Sequence, residues 1–386
     1  ENSIYSMILV KEILFLILFT YLFVTHKFHN YPISIKICFL FILLIVFYTI
    51  LSTIFLDEID IRQLRNLIFP FEAVITGYLA ILKAKDLKLL LNIATYISII
   101  VSVWGIFEVF SLDNSFYVKY LNIAEYNFKV KNDDRVIFSQ GISGSSLGRA
   151  FLERRLSSTY GDPLSFGMAN SFVLIFMISC FVLQKKRKLL IYSAIISSAI
   201  FLTFSRSSWL LIFVALMYIA IRKMKLFIPY CLAWVGLIIF LFSEHVRNFI
   251  LETLTFTSDI EHRKGFLEFF DYLFDPNEFF GNGIKPIDWV IENGFLYIFY
   301  QVGFVGLVLF FLFLISLLKD LSLKESRLTN ELVALIFCLK GIIIGIFFIT
   351  NFSHYVLTFN HSFVFWVITG GTIRHIHDQK TLEANN

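Results

Sequence analysis

The sequence predicts an all-α fold, a polytopic transmembrane helix bundle, and two observations lead to this prediction. Of the 386 residues, 58% are hydrophobic and only 16% are charged, and the mean hydropathy is +0.76. A soluble domain carries roughly a quarter of charged residues, because most of its surface faces water. Apolar runs of about twenty residues, the length that crosses a bilayer as a helix, recur along the whole chain. These observations exclude a cytosolic enzyme, a disordered chain and a secreted disulfide scaffold.

About eleven apolar runs qualify as membrane-spanning helices, since a helix satisfies all of its backbone hydrogen bonds internally in lipid. They lie near residues 4–25, 35–56, 67–83, 90–110, 164–183, 189–204, 207–221, 226–243, 293–317, 332–351 and 355–372. The sixth and seventh runs are short enough to be tilted or partly buried in the bundle. Residue 1 is a glutamate and no signal peptide is visible, so one further helix upstream would bring the bundle to twelve.

The lysines and arginines of the short loops fall almost entirely on one face of the bundle, as cytoplasmic loops require. They are Lys27, Lys36, Lys83, Lys85, Lys88, Lys185, Lys186, Arg187, Lys188, Arg222, Lys223, Lys225, Lys319, Lys324, Arg327, Arg374 and Lys380. This bias predicts a cytoplasmic carboxyl terminus and an outside residue 1. The basic residues behind the net charge of +4 are therefore interpreted as determinants of membrane topology, and no nucleic acid is expected as a partner.

Two long loops, 111–163 and 244–292, lie on the outer face in this topology and are mostly polar. They separate three groups of helices, in 1–110, 164–243 and 293–386, the last of which ends in a cytoplasmic tail. Loops longer than about fifteen residues are usually functional or disordered. The candidate chemistry is therefore expected on the outer face.

The sharpest local feature is the outer turn at 203–209, which contains Ser205 and Arg206. An arginine at this depth is costly unless it meets an anion or a partner. In one interpretation Arg206 binds phosphate, because the guanidinium offers a fixed bidentate fork. In the other, Arg206 only anchors the turn by extending toward water.

A second candidate is the segment 154–163, in which Arg154 and Arg155 precede Ser, Thr and a Gly-Asp-Pro turn. Two arginines and several hydroxyl groups could hold a diphosphate at the membrane surface. The alternative is a helix start at which Asp162 caps, Pro163 takes the first helical position and the arginines are solvated.

A third candidate joins Gly281 and Gly283, which permit a turn with positive φ, to Glu292 and Asn293, where the second loop re-enters the bilayer. A partly desolvated carboxylate at position 292 could take a proton from an attacking hydroxyl. The alternative is that Glu292 caps the ninth helix, and that the following Gly303 and Gly306 serve helix packing.

The remaining candidates favour structural roles. Lys340 lies inside the tenth run and needs a partner, for which Glu72 or Glu108 qualifies as one half of a structural ion pair. The four cysteines all lie inside apolar runs, so neither a disulfide nor a cysteine metal site is expected. No histidine has metal-ligand spacing, and 141–146 lacks the lysine of a nucleotide-binding loop.

Taken together and in order, these motifs resemble the O-antigen polymerase and ligase superfamily over roughly residues 60–320. The shared pattern begins with an Arg-Gly-Asp-Pro-like helix start at Arg155 and 161–163, followed by the Thr-x-Ser-Arg turn at 203–206 and an arginine in the second outer loop, Arg263. It continues with Gly-x-Gly at 281–283, Glu-Asn-Gly-Phe-Leu at 292–296 and Gly-Phe-Val-Gly at 303–306.

The resemblance implies a metal-independent, cofactor-free membrane glycosyltransferase in the bacterial inner membrane, acting on an undecaprenyl-diphosphate-linked oligosaccharide at the outer face. Arg206 and Arg263 would grip the diphosphate as it leaves, with Arg155 as a further match. Glu292 would be the base, and a polysaccharide chain-length regulator would be a further partner.

Within the superfamily, a polymerase of repeat units is favoured over a ligase to lipid A-core. Ligases typically have His-Asn where this chain has Glu292-Asn293. A transporter or flippase for a lipid-linked sugar is the alternative from another class, and Lys340 is the main feature that favours it.

Overall fold

A computed structural model describes residues 31–55, 61–81, 83–111, 156, 163–185, 187–223, 279–284, 293–322, 328–351 and 359–384. In these ranges the chain forms nine α-helices and no strand. The helices are α1 (Ile33–Phe55), α2 (Ile61–Ala80), α3 (Ala84–Ser111), α4 (Pro163–Gln184), α5 (Arg187–Leu202), α6 (Arg206–Lys223), α7 (Gly294–Asp320), α8 (Asn330–Ile349) and α9 (Phe359–Ala384).

Five of these helices contain stretches long and apolar enough to cross a membrane. The stretches are Ile33–Ser52, Ala84–Phe110, Leu164–Gln184, Gly294–Asp320 and Asn330–Ile349. Large apolar side chains are exposed along them, as on α3, where Ile100 and Phe110 are 66% and 74% exposed. Such surfaces suit lipid and not water. The chain is therefore an all-α, multi-pass membrane protein, as the sequence predicts.

The bundle has two ends, which are named here by residues that mark them. One end, called here the Ser-Arg end, contains the turn between α5 and α6; there the amide of Gly294 donates to the carbonyl of Thr350, at 2.7 Å. The other, the Arg374 end, contains the start of α1 and the end of α7, where the amide of Ser34 donates to Asp320 Oδ2 at 2.8 Å. Lys88 and Glu331 form an ion pair of 2.8 Å at this second end.

Glycines let neighbouring helices approach each other closely. In α2 and α9, a Cβ on Gly77 would collide with the backbone of Val367, and one on Gly370 with that of Val74. In lipid, helix association depends on such close packing, because the hydrophobic effect does not drive apolar helices together there. Substituting either glycine would therefore force α2 and α9 apart.

Helix starts and ends follow the sequence with one instructive difference, at the end of α9. Helix α4 begins at Pro163, the first helical position that the sequence predicts. Helix α9 continues past the apolar run, which ends near residue 372, to Ala384. Its polar end is held in part by Arg374, whose Nε donates to Asp378 at 2.9 Å. Such i,i+4 pairs extend helices that hydropathy alone would end.

Several sequence predictions lie outside the described residues. They are the spans predicted at 4–25 and 226–243 and most of the loops 111–163 and 244–292. Cys38, Cys180 and Cys338 are buried in the bundle, and Cys231 lies outside the described residues.

Lys340 lies in the middle of α8. Its Nζ donates to Ser322 Oγ at 2.8 Å, just beyond the end of α7. A lysine stem is long enough to cover apolar surface while its ammonium group reaches a polar partner at the end of the bundle. The sequence had suggested Glu72 or Glu108 as the partner, and this hydroxyl contact was not anticipated.

Candidate functional site

The Ser-Arg turn connects α5 to α6 in only three residues, 203–205. Phe204 adopts a left-handed conformation with φ of 49°, which side chains other than glycine rarely take. Thr203 Oγ1 donates to the carbonyl of Ile200 at 2.6 Å and accepts from the amide of Ser205 at 3.2 Å. These bonds tighten the turn, and both Thr203 and Ser205 are fully buried.

Ser205 caps α6 and makes Arg206 the first residue of that helix. The Ser205 hydroxyl accepts from the amide of Ser208 at 3.4 Å and lies 2.7 Å from the Ser208 hydroxyl. Serine is a preferred residue at this position because its oxygen satisfies an otherwise unpaired amide. The partial positive charge of the helix start then adds to the charge of Arg206, and the sum favours an anion.

Leu156, which directly follows the second arginine motif in the sequence, contacts the helix that leads into this turn. Its amide donates to the carbonyl of Leu202 at 2.9 Å, and its side chain is fully buried. The side chain packs on Gly105 of α3, where an added Cβ would come within 2.7 Å of Leu156 Cδ2. Arg154 and Arg155 directly precede Leu156 in the sequence. Arg154, Arg155 and Asp162 lie outside the described residues.

Helix α4 contacts the other side of the turn at Gly167. A Cβ at this position would overlap the hydroxyl of Ser208 and lie 3.2 Å from Ser205 Cβ. The Ser-Arg turn is thus held between Leu156 on one side and Gly167 on the other. A glycine is required at 167 because the capping serines occupy the space of its side chain.

Buried polar side chains continue along α3 and α4 beside this turn. Ser98 donates to Asn170 Oδ1, and Asn170 Nδ2 donates to the carbonyl of Phe166 at 2.9 Å. Ser171 is also buried, but its hydroxyl is satisfied within its own helix by Gly167. Asn170 differs because it joins two helices. Interior polar groups of this kind are costly in lipid and typical of functional regions.

Glu108 is the acid that the sequence interpretation treated only as a partner for Lys340. It is 8% exposed and follows Gly105 by one helical turn on α3, toward the Ser-Arg end. Ser98, Ser102, Gly105 and Glu108 recur at spacings of four, three and three, and all four are buried. This register was visible in the sequence and would have placed Glu108 on the face of α3 that contacts Leu156.

The predicted glycine turn is confirmed, with φ of 76° at Gly281 and 79° at Gly283. The segment 279–284 docks on a kink in α7, where Gly303 has φ of 69°. The amide of Gly283 donates to the carbonyl of Gln301 at 3.1 Å, and that of Phe304 to Phe279 at 2.9 Å. Two hydroxyls of α1 also hold this segment, since Tyr48 donates to the carbonyl of Phe280 and Ser52 Oγ accepts from the amide of Ile284 at 3.0 Å, so contacts from both α1 and α7 anchor it to the bundle.

Asn293, and not Glu292, is the N-cap of α7. Its Oδ1 accepts from the amides of Phe295 and Leu296 at 2.9 and 3.0 Å. Asn293 is 4% exposed, and its Nδ2 has no hydrogen-bond acceptor among the described residues. Glu292 and Arg263 lie outside the described residues, so their predicted roles stay predictions.

Helix α8 connects the Asn293 cap with the Ser-Arg turn. Thr350, the cap directly after α8, accepts from Gly294 at the start of α7, while Gly345 of α8 packs on Leu211 of α6. Leu211 follows Arg206 by five residues, and Thr350 follows Gly345 by five, so the antiparallel pair puts Arg206 and Thr350 at the same end. The motifs from three parts of the sequence therefore share one end of the bundle.

Comparison with family models, with curated proteins and with solved structures found no match to this chain.

Proposed function

We propose that this chain is a membrane glycosyltransferase that polymerises undecaprenyl-diphosphate-linked oligosaccharide repeat units into O-antigen or a related surface polysaccharide. In this proposal the full bundle has eleven or twelve spans, the Ser-Arg end faces the periplasm or outside, and the membrane is the bacterial inner membrane. A polysaccharide chain-length regulator would act with it.

The observation that supports this best is the hydrogen bond between Leu156 and Leu202. It ties the segment that follows Arg154 and Arg155 to the helix that leads into Arg206. The residue that directly follows one of the two motifs is therefore bonded to the helix that leads into the other, about fifty residues later in the sequence, which supports a shared diphosphate site. Clustered guanidinium groups stabilise a diphosphate as it leaves, because they neutralise the charge that develops there.

In the proposed reaction an acceptor sugar hydroxyl attacks the anomeric carbon of the lipid-linked donor. The new glycosidic C–O bond forms as the bond from that carbon to the diphosphate oxygen breaks. The diphosphate leaves on its lipid carrier, paired with Arg206, Arg263 and Arg155, and the hydroxyl proton passes to Glu292. A single displacement of this kind inverts the anomeric centre, and it requires neither a metal ion nor a cofactor.

The contact of Lys340 with Ser322 favours this proposal over a transporter. Lys340 was the main feature that suggested an ionisable site near the middle of the bilayer. Its ammonium group instead meets a hydroxyl beyond the end of α7, at the opposite end from Arg206. A ligase that transfers the glycan to lipid A-core remains the alternative within the same superfamily.

The test is a deletion in the source organism, with the surface glycan separated on a denaturing gel and lipid-linked intermediates extracted in parallel. A polymerase is supported if long chains disappear while a single repeat unit still reaches its surface acceptor. Polymer that accumulates on the lipid carrier and never reaches the acceptor would instead identify a ligase. An unchanged ladder of long chains would contradict both.

A further inference from the structure

A partly open groove of about 120 Å³ lies between α3 and α9, with α4 as its floor. Helices α6 and α8 contribute the remaining lining through Leu211, Ile342 and Ile346. Most of the lining is apolar, and its polar side chains include the pair Ser98 and Asn170. We refer to it as the α3–α9 groove.

We propose that the α3–α9 groove binds the polyprenyl chain of the lipid-linked substrate, at the isoprene units next to the diphosphate. This rests on the proposed function, because it takes the Ser-Arg turn as the diphosphate site. It adds a binding site for the lipid part of the substrate, for which the sequence motifs contain no signal.

The groove is continuous with the Ser-Arg turn. On α4, Asn170 lines the groove three residues after Gly167, which packs against Ser205 and Ser208. On α6, Leu211 lines it three residues after Ser208. One helical turn rises about 5 Å, so a chain attached to a diphosphate at Arg206 would reach the groove within its first units.

The two edges of the groove carry side chains that suit lipid. Ile97 of α3 is 51% exposed, and Phe363 and Val364 of α9 are 42% and 38% exposed. Apolar side chains exposed on a membrane bundle face the hydrocarbon chains of the bilayer. A prenyl chain could therefore enter sideways from the membrane between α3 and α9, with no need to pass through the polar end of the bundle.

The size of the groove sets how much of the lipid it holds. A dry apolar cavity of roughly 150 Å³ accommodates one benzene molecule, so this groove holds on the order of one isoprene unit. The rest of the chain would lie along the exposed apolar face of α3, in the bilayer. The groove would then bind the part of the prenyl chain next to the diphosphate, and the total length of the prenyl chain would not affect this binding.

The polar pair at the floor of the groove, Ser98 and Asn170, is compatible with an apolar ligand. Asn170 accepts from Ser98 with Oδ1 and donates to Phe166 with Nδ2, so neither end of its amide needs water from the groove. An apolar chain can therefore pack on this pair without leaving a buried polar group unsatisfied.

The test uses the purified full chain and a sugar-free polyprenyl diphosphate that carries a photoreactive group near the start of its prenyl chain. Labelled peptides are identified by mass spectrometry in the wild type and in Ala94→Trp, which fills the groove from α3. The matched control is Ile93→Trp, because Ile93 is the neighbouring residue but is 45% exposed outside the groove.

We expect labels in 168–173 and 362–365, a loss of about tenfold in Ala94→Trp, and no loss in Ile93→Trp. Ala94→Leu provides a milder filling that should give an intermediate loss if the tryptophan variant folds poorly. Labelling elsewhere, or labelling that both Ala94 variants leave unchanged, would overturn the inference. So would equal labelling of these peptides by a phospholipid with the same photoreactive group on its acyl chain.

The two proposals fail in different ways. If the probe labels the groove but the deletion strain keeps its long chains, prenyl binding in the groove is supported and the proposed polymerase function is wrong. If the strain loses long chains but the probe does not label the groove, the polymerase stands and the prenyl site is wrong.

Discussion

The amide of Leu156 donates a hydrogen bond of 2.9 Å to the carbonyl of Leu202, four residues before Arg206. Both residues are apolar and carry no chemistry themselves. Their contact nevertheless fixes the position of Leu156, the residue that directly follows Arg154 and Arg155 in the sequence. The candidate site therefore depends on packing around Leu156 as well as on the arginines.

Gly105→Val tests this dependence. A branched side chain at 105 would occupy the position of the Leu156 side chain, which an added Cβ already approaches within 2.7 Å. Displacing Leu156 would move the arginine segment, so we expect long surface polymer to fall by about tenfold or more at equal protein level, since a small displacement of catalytic groups is costly. Val103→Leu, on the exposed side of α3, is the control and should leave the polymer unchanged.

Arg206→Lys tests the bidentate grip on the diphosphate. Lysine keeps the charge but lacks the planar fork, so we expect polymer yield to fall about tenfold, and further in Arg206→Ala. Arg222→Lys, near the other end of α6, is the matched control. Equal yields from Arg206→Lys and the wild type would mean that Arg206 acts only as a point charge or anchors the turn.

Gly303→Ala tests the kink on which the second loop docks. The new Cβ would collide with the backbone of Phe280, and alanine is strained at φ of 69°. We expect a loss of about 2 kcal/mol or more, measured as a lower Tm of the detergent-purified protein. Phe280→Leu, at a side chain that is 70% exposed, should change Tm little. A Gly303→Ala protein as stable as the wild type would show that the kink is dispensable.

A pair of substitutions at Asn293 separates capping from substrate binding. Asn293→Ala removes the oxygen that accepts from Phe295 and Leu296, and should cost about 1 kcal/mol of stability. Asn293→Asp restores the cap but removes the Nδ2 donor. If Asn293 binds substrate through Nδ2, the aspartate variant regains its Tm but not its polymer. Recovery of both would assign Asn293 to capping alone.

Glu108→Gln tests whether the buried acid of α3 contributes to the candidate site. Glutamine keeps the shape of this buried side chain and removes its charge, one helical turn from the contact of Gly105 with Leu156. We expect polymer to fall about tenfold, since an uncompensated change of charge near a charged site alters its electrostatics. Glu331→Gln breaks the exposed pair with Lys88 and should have no measurable effect.

The fold was predictable where a strong local signal existed. Apolar length predicted the five described helices that are long and apolar enough to cross a membrane, and the Gly-Asp-Pro sequence predicted the start of α4 at Pro163. The polar end of α9 was missed because hydropathy does not register i,i+4 pairs such as Arg374 with Asp378. The glycine turn was predicted from its residue type, but its docking on Gly303 was not, since that contact joins segments twenty residues apart.

The candidate site was predictable only in part, for a related physical reason. Arg206 and its serines form a local motif, and their positions in sequence indicated the turn. The bond from Leu156 to Leu202 and the position of Glu108 depend on how α3, α4 and α5 pack, which no single segment encodes. The capping role that was the alternative for Glu292 belongs to Asn293, because both residues are plausible caps until the start of α7 is known.

The most direct test of the proposed function is reconstitution of the purified chain in lipid vesicles. It would be given only undecaprenyl-diphosphate-linked repeat units, with a chelator present and no nucleotide sugar, and the products separated by size. We expect a ladder of lengthened lipid-linked glycans from the wild type and single repeats from Arg206→Ala. Single repeats from a correctly folded wild-type protein, whether or not they cross the vesicle membrane, would contradict the polymerase.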